Sequence, residues 1–294
     1  MISNTKQIED FWSENPCDSD RSNEKERKLY FSNIEEWRYK SINYIIEDAN
    51  FNGYNGLKVL EIGCGIGTDG RQFTKNGAIY NGINIDQGSV DIAREAFNIF
   101  RLKGGDINKM NAENMKFEHN TFDHIYSYGV IHHTTNPSKI VSEIYRVLKP
   151  GGTFFVMLYN KSSINYYLEI MFIRKIFRYM LIPSFAPKLF SKLTGFSEIK
   201  LIKHRKIMLE EKMSPEKWIS INTDGPDCPL SRVYSKSEAI KLFEEVGFNN
   251  IDTFVRFFNR DHYSYLGKLI PKKIADYIGS YYGWHRIVKG EKPK

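Results

Sequence analysis

VLEIGCGIGTDG, running from Val59 to Gly70, carries two glycine signatures in overlapping frames. Counted from Gly65, the spacing Gly65-x-Gly67-x-x-Gly70 is that of a dinucleotide-binding turn between a strand and a helix. Counted from Glu61, it is Glu-x-Gly-x-Gly-x-Gly, with Gly63, Gly65 and Gly67. Either frame sets glycine where a side chain would collide with a ligand or forbid the backbone angles. Either also puts that ligand beyond the carboxyl end of a parallel strand. Asp86, 19 positions after Gly67, ends the next strand candidate. It does not separate the frames, because a carboxylate there can accept the hydroxyls of any adenosine ribose.

Outward from this loop the chain alternates. LKVLEIG reads as a short buried strand, GTDGRQFTKNG as a helix closed by Gly77, and AIYNGINID as a strand ending on an acid. GSVDIAREAFNIF is helical, FDHIYSYGV extended, PSKIVSEIYRVLKPGG a helix with a Pro-Gly-Gly stop, and TFFVMLYN extended again. Strands alternating with helices of this length imply βαβ units and an open parallel sheet covered on both faces. Before the sheet, Gln7 to Asn50 reads as helical, with Trp12, Leu29, Ile34 and Trp37 at spacings that form apolar faces. After Asn160, INYYLEIMFIRKIFRYMLI reads as a basic amphipathic helix. Pro183, Pro187, a second helical stretch and the turn NTDGPDCPL follow. SKSEAIKLFEEVGF restores the core style with a Ser cap and a glycine stop. NIDTFVRFF reads as a strand, a Tyr-rich segment as a helix and GWHRIVKGEKP as a final strand.

A chain of 294 residues, 41% hydrophobic and 14% aromatic, can bury a sizeable core and is not disordered. Cys17, Cys64 and Cys228 are too few and too scattered for a disulfide framework, which suits a cytoplasmic location. MISNTKQIED lacks an apolar leader pattern, and no uncharged apolar run is long enough to span a bilayer. The net charge of +7 is concentrated. Between Lys161 and Lys212 eleven Lys/Arg face four Asp/Glu, so this segment alone carries the surplus. A basic, aromatic-rich segment of this kind suits an acidic substrate, a membrane surface or nucleic acid, and equally a solvated helical face.

The residues around the glycines break the tie between frames. VLEIGCGIGTDG, INID, NAENMKF, FDHIYSYGVIHH and EIYRVLKPGG follow one another at intervals that resemble the ordered motifs of class I S-adenosylmethionine (SAM)-dependent methyltransferases. The resemblance is to the small-molecule, ubiquinone and menaquinone methyltransferase-like branch, and it is close over residues 57 to 160. It implies an α/β, Rossmann-like class I fold with a mostly parallel seven-stranded sheet and helices on both faces. Residues 1–55 are then an N-terminal helical cap and 56–160 the SAM-binding core. Residues 161–233 become a basic helical insertion or substrate lid, and 234–294 the C-terminal part of the core sheet. In this frame Gly70 belongs to the first turn of the helix.

The same resemblance implies site roles. Gly63, Gly65 and Gly67 would line the methionine and ribose portion of SAM, Glu61 would support their loop, and Asp86 would bind the ribose hydroxyls. Gln87, Ala112 and Glu113 would flank the adenine. Asn111 stands where the family often has an acid, although its amide oxygen can still accept from the adenine amino group. Tyr128, Gly129 and Val130 would pass beneath the cofactor.

Methyl transfer from a sulfonium is an in-line displacement, so a base is needed only when the acceptor must lose a proton. His132 and His133, just after the fourth strand, are the candidates, with a helix start as the plain structural alternative. Trp12, Tyr30, Trp37, Tyr159 and Tyr166 are candidates for a substrate roof, and Arg38 for a carboxylate or phosphate contact. For each of them core packing or exposure is the competing reading. Cys17 and Cys228 sit in polar turns and could share a soft metalloid, but no zinc spacing exists and no metal is expected.

The expected function is therefore SAM-dependent methyl transfer to a small-molecule or conjugated acceptor, such as a sugar, lipid or secondary metabolite. The alternatives are a SAM-binding protein that docks to a membrane or partner through 164–182, and an RNA methyltransferase. SYGV stands after the fourth strand where base amino-group methylation uses an Asn-Pro-Pro-Tyr type tetrapeptide, which argues against nucleic acid. The accepting atom and the oligomeric state are left open.

Overall fold

A computed structural model describes residues 5–103, 105–210, 213–258 and 269–294. Its centre is one seven-stranded sheet in the order β3-β2-β1-β4-β5-β7-β6. The strands are β1 (Lys58–Ile62), β2 (Ile79–Asn84), β3 (Gly105–Lys109), β4 (Phe122–Tyr128), β5 (Leu148–Tyr159), β6 (Asn249–Arg256) and β7 (His285–Glu291). β1 to β5 pair in parallel, while β7 lies antiparallel to both β5 and β6. The strand order reverses between β1 and β4, which leaves a crevice at their carboxyl ends.

Apolar patterning explains the core. Val59, Leu60, Ile62, Ile125, Val156 and Leu158 are all buried, as expected of strands covered on two faces. The helices between strands are α4 (Thr68–Lys75), α5 (Gln87–Ile99) and α6 (Pro137–Val147), with α11 (Lys236–Glu244) ahead of β6. Three of the four start on a side-chain cap. The Asp86 carboxylate accepts from Ser89 N, Asn136 caps α6 with Pro137 at its first position, and Ser235 and Glu238 form a reciprocal capping box.

Six of the seven strands are readable from the sequence; the exception is β3. Its sequence GDINK buries only Ile107, so it lacks the apolar run that betrays its neighbours. The N-terminal helical reading is also corrected. Residues 5–49 hold α1 (Thr5–Glu14), α2 (Arg27–Ser41) and α3 (Tyr44–Ala49), with a long break after α1. Pro16 and the left-handed Asp18 (φ 63°) interrupt the helix there.

Between β5 and α11 the chain forms a π-helical segment (Asn165–Ile173) that runs into α7 (Arg174–Met180). α8 (Ala186–Thr194), α9 (Glu198–Glu210) and α10 (Pro215–Thr223) follow. The Tyr-rich stretch before β7 is helical as α12 (Lys272–Tyr282), and residues 259–268 lie outside the described residues.

Candidate active site

A cavity of about 570 Å³ opens at the carboxyl ends of β1, β2, β3 and β4. That is the size of a small-molecule site. The glycines around it do three different jobs. Gly65 has φ +51° and nothing within 4 Å of where a Cβ would stand, so its backbone borders the cavity directly. Gly63, at φ +75°, packs so closely that a Cβ would meet Val130 Cγ2 at 2.2 Å. Gly67 (φ +79°) starts α4 against Ala93 and Phe97 of α5 and does not line the cavity. Gly70 lies in the first turn of α4 against the Tyr80 ring, where a Cβ would be 2.4 Å from its hydroxyl. The GxGxxG match is thus a helix–strand packing contact.

The carboxylates separate as well. Asp86 is fully buried, accepts from Ser89 N at 2.7 Å and from the Asn84 side chain, and caps α5 without lining the cavity. Asn84, at the end of β2, lines the cavity instead, its Oδ1 accepting from Gly65 N at 3.3 Å. Gln87 is exposed and donates to Asp91 on its own helix. Asn111, Ala112 and Glu113 all line the cavity. Asn111 Oδ1 accepts from Glu113 N, and Glu113 Oε1 accepts from Thr135 Oγ1 at 2.6 Å and Asn136 N at 2.9 Å.

Glu61 lies beneath the loop, 4% exposed, accepting from Tyr80 Oη at 2.5 Å. Burial, then the charge of Asp69, pushes its carboxyl well above the usual range. Burial opposes ionisation of Asp69 too. There the Arg38 guanidinium wins, together with hydrogen bonds from Arg38, Tyr126 and Tyr39, and holds the carboxyl below its ordinary value. Arg38 borders the cavity, yet its guanidinium is engaged by Asp69 at 2.5 Å and Asp18 at 3.0 Å. It fastens the N-terminal helices to α4 while bordering the cavity.

Tyr30 is also elsewhere. It packs with Phe31, Ile34 and Ile66 and donates to Ser19 O at 2.8 Å, because α2 turns that face toward α5. Trp12, Trp37 and Tyr159 do line the cavity, whereas Tyr166 packs behind it with Trp218 and Trp284. Aromatic faces of this kind attract a cation.

The two histidines differ. His132 is wholly buried against Tyr159, with ring centroids 3.9 Å apart, and neither ring nitrogen has a hydrogen-bond partner. Burial, then the neighbouring His133 and His285, pushes its pKa well below the usual value. It does not line the cavity. His133 lines the cavity. Its Nδ1 is 2.8 Å from Leu230 O, which can only accept, so Nδ1 carries a proton and Nε2 faces Asp224 Oδ2 at 3.5 Å. Tyr159 Oη donates to the other Asp224 oxygen at 3.1 Å.

Cys228 approaches the same pair, with the three donor atoms within 4.8 Å of one another. Tetrahedral zinc bonds of 2.0–2.3 Å require ligand atoms about 3.5 Å apart. His133 Nε2 and Asp224 Oδ2 stand 3.5 Å apart, while the Cys228 thiol is directed at Leu230 O.

Asn84, Asp224, Trp284 and His285 border the cavity without having been singled out in the sequence. Tyr128 lines the cavity, and its hydroxyl meets Tyr44 Oη at 2.6 Å and His285 Nδ1 at 2.9 Å. The Asp86-x-x-Ser89 spacing is that of a helix cap, and Asp86 serves as one. Asp224 and His285 come from far along the chain and had no local signal.

Residues 60–156 match the family model for the methyltransferase domain. That match is to a methyltransferase domain and spans about a third of the chain. The methyltransferase segment is 37% identical over 103 residues to cycloartenol-C-24-methyltransferase 1 of Oryza sativa subsp. japonica, covering 34% of this chain and 30% of that one. It is 27% identical over 150 residues to the ubiquinone biosynthesis O-methyltransferase of Pseudomonas aeruginosa, covering 50% and 62%. The chain therefore spans less than two thirds of the length of either relative. Among solved structures, Haemonchus contortus phosphoethanolamine N-methyltransferase 2 in complex with S-adenosyl-L-methionine superposes with a TM-score of 0.56 at 16% identity. That likeness covers 98% of this chain and 60% of the other, and it is one of fold.

Proposed function

We propose that this chain transfers a methyl group from SAM to a small-molecule or conjugated acceptor. The observation that carries the reading is the cavity bordered in turn by Gly63 and Gly65 after β1, Asn84 and Ile85 after β2, Asn111 to Glu113 after β3, and Tyr128 to Val130 after β4. The residues fit the cofactor on chemical grounds. The space beside Gly65 admits a ligand close to the backbone, Asn84, Asn111 and Glu113 supply polar atoms for ribose and adenine, and Trp12 and Tyr128 supply aromatic faces for a cation. When bound, SAM supplies an electrophilic methyl on a sulfonium.

The chain's own task is to orient the acceptor and exclude water. His133 and Asp224 form a pair that can accept a proton from a hydroxyl or ammonium acceptor, with Nδ1 of His133 fixed by Leu230 O and Asp224 fixed by Tyr159. His132, buried and unpartnered, has only a packing role in this reading. The named acceptors of the relatives, a sterol and a ubiquinone precursor, support a small or lipid-like molecule as the acceptor class. Cytoplasmic residence fits three free cysteines, and peripheral membrane contact through 164–182 fits that segment's composition.

Calorimetry with SAM and S-adenosylhomocysteine tests the reading. Saturable binding is expected, weakened about tenfold or more in Asn84→Ala by the loss of a buried polar contact. Absence of heat at millimolar ligand sinks the proposal. For the pair, His133→Asn is expected to lower kcat by roughly 10²- to 10⁴-fold with SAM affinity retained. An unchanged kcat removes His133 from the chemistry.

A further inference from the structure

We propose that the π-helical segment 165–173, α7, α8 and α9 together form a docking face for an anionic lipid bilayer. Between Tyr167 and Leu209 sixteen large apolar side chains are exposed, among them Phe172 at 60%, Phe185 at 67%, Leu193 at 71% and Ile199 at 70%. A soluble monomer rarely leaves so much apolar surface in one region. The helices that carry it are joined, since Phe177 packs edge-on against Phe190 of α8 at 5.0 Å and near Phe196 at 6.3 Å.

Charge selects the occupant. Lys175, Lys188, Lys192 and Lys200 are exposed among these apolar residues. A second copy seated symmetrically on the same face would bring those lysines against themselves, which is unfavourable. An anionic bilayer complements both features, taking the apolar side chains into the headgroup–acyl boundary and the lysines among the phosphates.

The surface is not simply the basic run seen in the sequence. Arg178 is buried beside His204 and Asn222, and Arg174 turns inward to Glu169 and Asn222 O. Neither reaches the face. No helix among the described residues is long and apolar enough to cross a membrane, so the contact lies on the bilayer. Behind the face, Ile170 packs with Trp218 and Trp284, and Trp284 stacks on Tyr159 at 4.5 Å. The docking helices and the cavity therefore share a wall.

This inference stands apart from the methyl-transfer reading, because it is measured without SAM. The full chain is sedimented with vesicles of phosphatidylcholine, with and without phosphatidylglycerol. Binding is expected to the anionic vesicles and to weaken with added salt. Joint Lys175→Glu, Lys188→Glu, Lys192→Glu and Lys200→Glu changes are expected to lower partitioning more than about a hundredfold, at about fivefold for each charge near the surface. Joint Phe172→Ser, Phe185→Ser and Leu193→Ser changes are expected to lower it as well, with circular dichroism and thermal midpoint unaltered. No sedimentation with either lipid overturns the proposal, and so does binding that is equal on neutral vesicles and indifferent to the lysines. A dimer in sedimentation equilibrium that the Phe172, Phe185 and Leu193 changes dissolve, without vesicle binding, assigns the face to a second copy.

Discussion

In the first 160 residues the exposed large apolar side chains among the described residues are Leu29, Ile46, Leu57 and Ile79; between Tyr167 and Leu209 there are sixteen. The two regions obey the same helical and apolar patterning but end differently. Around the sheet, each helix has a strand pair to cover and buries what it carries. In the insertion, α7, α8 and α9 have mainly one another, and three short helices cannot enclose their own apolar surface. Polar interiors differ in parallel. Near the glycine loop buried Arg38 pairs with buried Asp69 and part-buried Asp18, whereas in the insertion the partners of Arg178 among the described residues are neutral, His204 and Asn222. Burial, then the charge of Arg174, brings Arg178 down to about 9. One region is built to be complete, the other to be finished by contact.

The largest effect that could break this comparison is at Asp69. Asp69→Ala leaves Arg38 buried with Asp18 as its remaining acid, and a loss of about 3–5 kcal/mol is expected in urea denaturation. A loss under about 1 kcal/mol would mean that the triad does not fasten the N-terminal helices to the core.

Next come the glycines. Gly63→Ala combines a left-handed backbone with a clash against Val130 and should cost about 2–4 kcal/mol. Gly65→Ala meets open space and should cost only about 1–2 kcal/mol. Equal losses in thermal denaturation would contradict the assignment of Gly65 to the cavity.

Last comes a pH slope. Burial, then Lys289, depresses the pKa of His124 to about 3, and burial, then Arg178, does the same to His204. Both are depressed below the ordinary 6.5, so the stability linked to their neutral forms is present above pH 6.5 and is lost as pH falls toward 3. Each histidine adds a slope of about 1.4 kcal/mol per pH unit within that window. His124→Phe should flatten the slope of the global transition by one proton. A smaller change for His204→Phe would sharpen the contrast, marking the insertion as a separately melting unit. Equal changes would merge the two regions into one cooperative unit.

What could be read in advance follows the range of the physics. The β1 loop was legible because glycine spacing is local and only glycine tolerates three positive φ values in five residues. The helix boundaries around the sheet were legible from caps and stops. β3 was not, because an edge strand with one buried isoleucine has almost no pattern. The choice between Asn84 and Asp86 turns on where β2 ends and α5 begins, two residues apart, which strand patterning does not resolve. Asp224 and His285 reach the cavity only through the tertiary fold. The inward turn of Arg174 and Arg178 likewise depends on Glu169, His204 and Asn222, so a helical wheel alone puts them on the wrong side.

The position of β7 governs the order in which the molecule can be assembled. It sits between β5 and β6, although both are synthesised before it. On the ribosome the edge of β5 has no partner until residues 285–291 emerge, and β6 has none at all. During that interval a buried-type strand presents open hydrogen-bonding groups, the situation in which nascent chains pair wrongly or recruit chaperones. Trp284 and His285 arrive with β7, so the cavity wall is complete only once the last strand has been made.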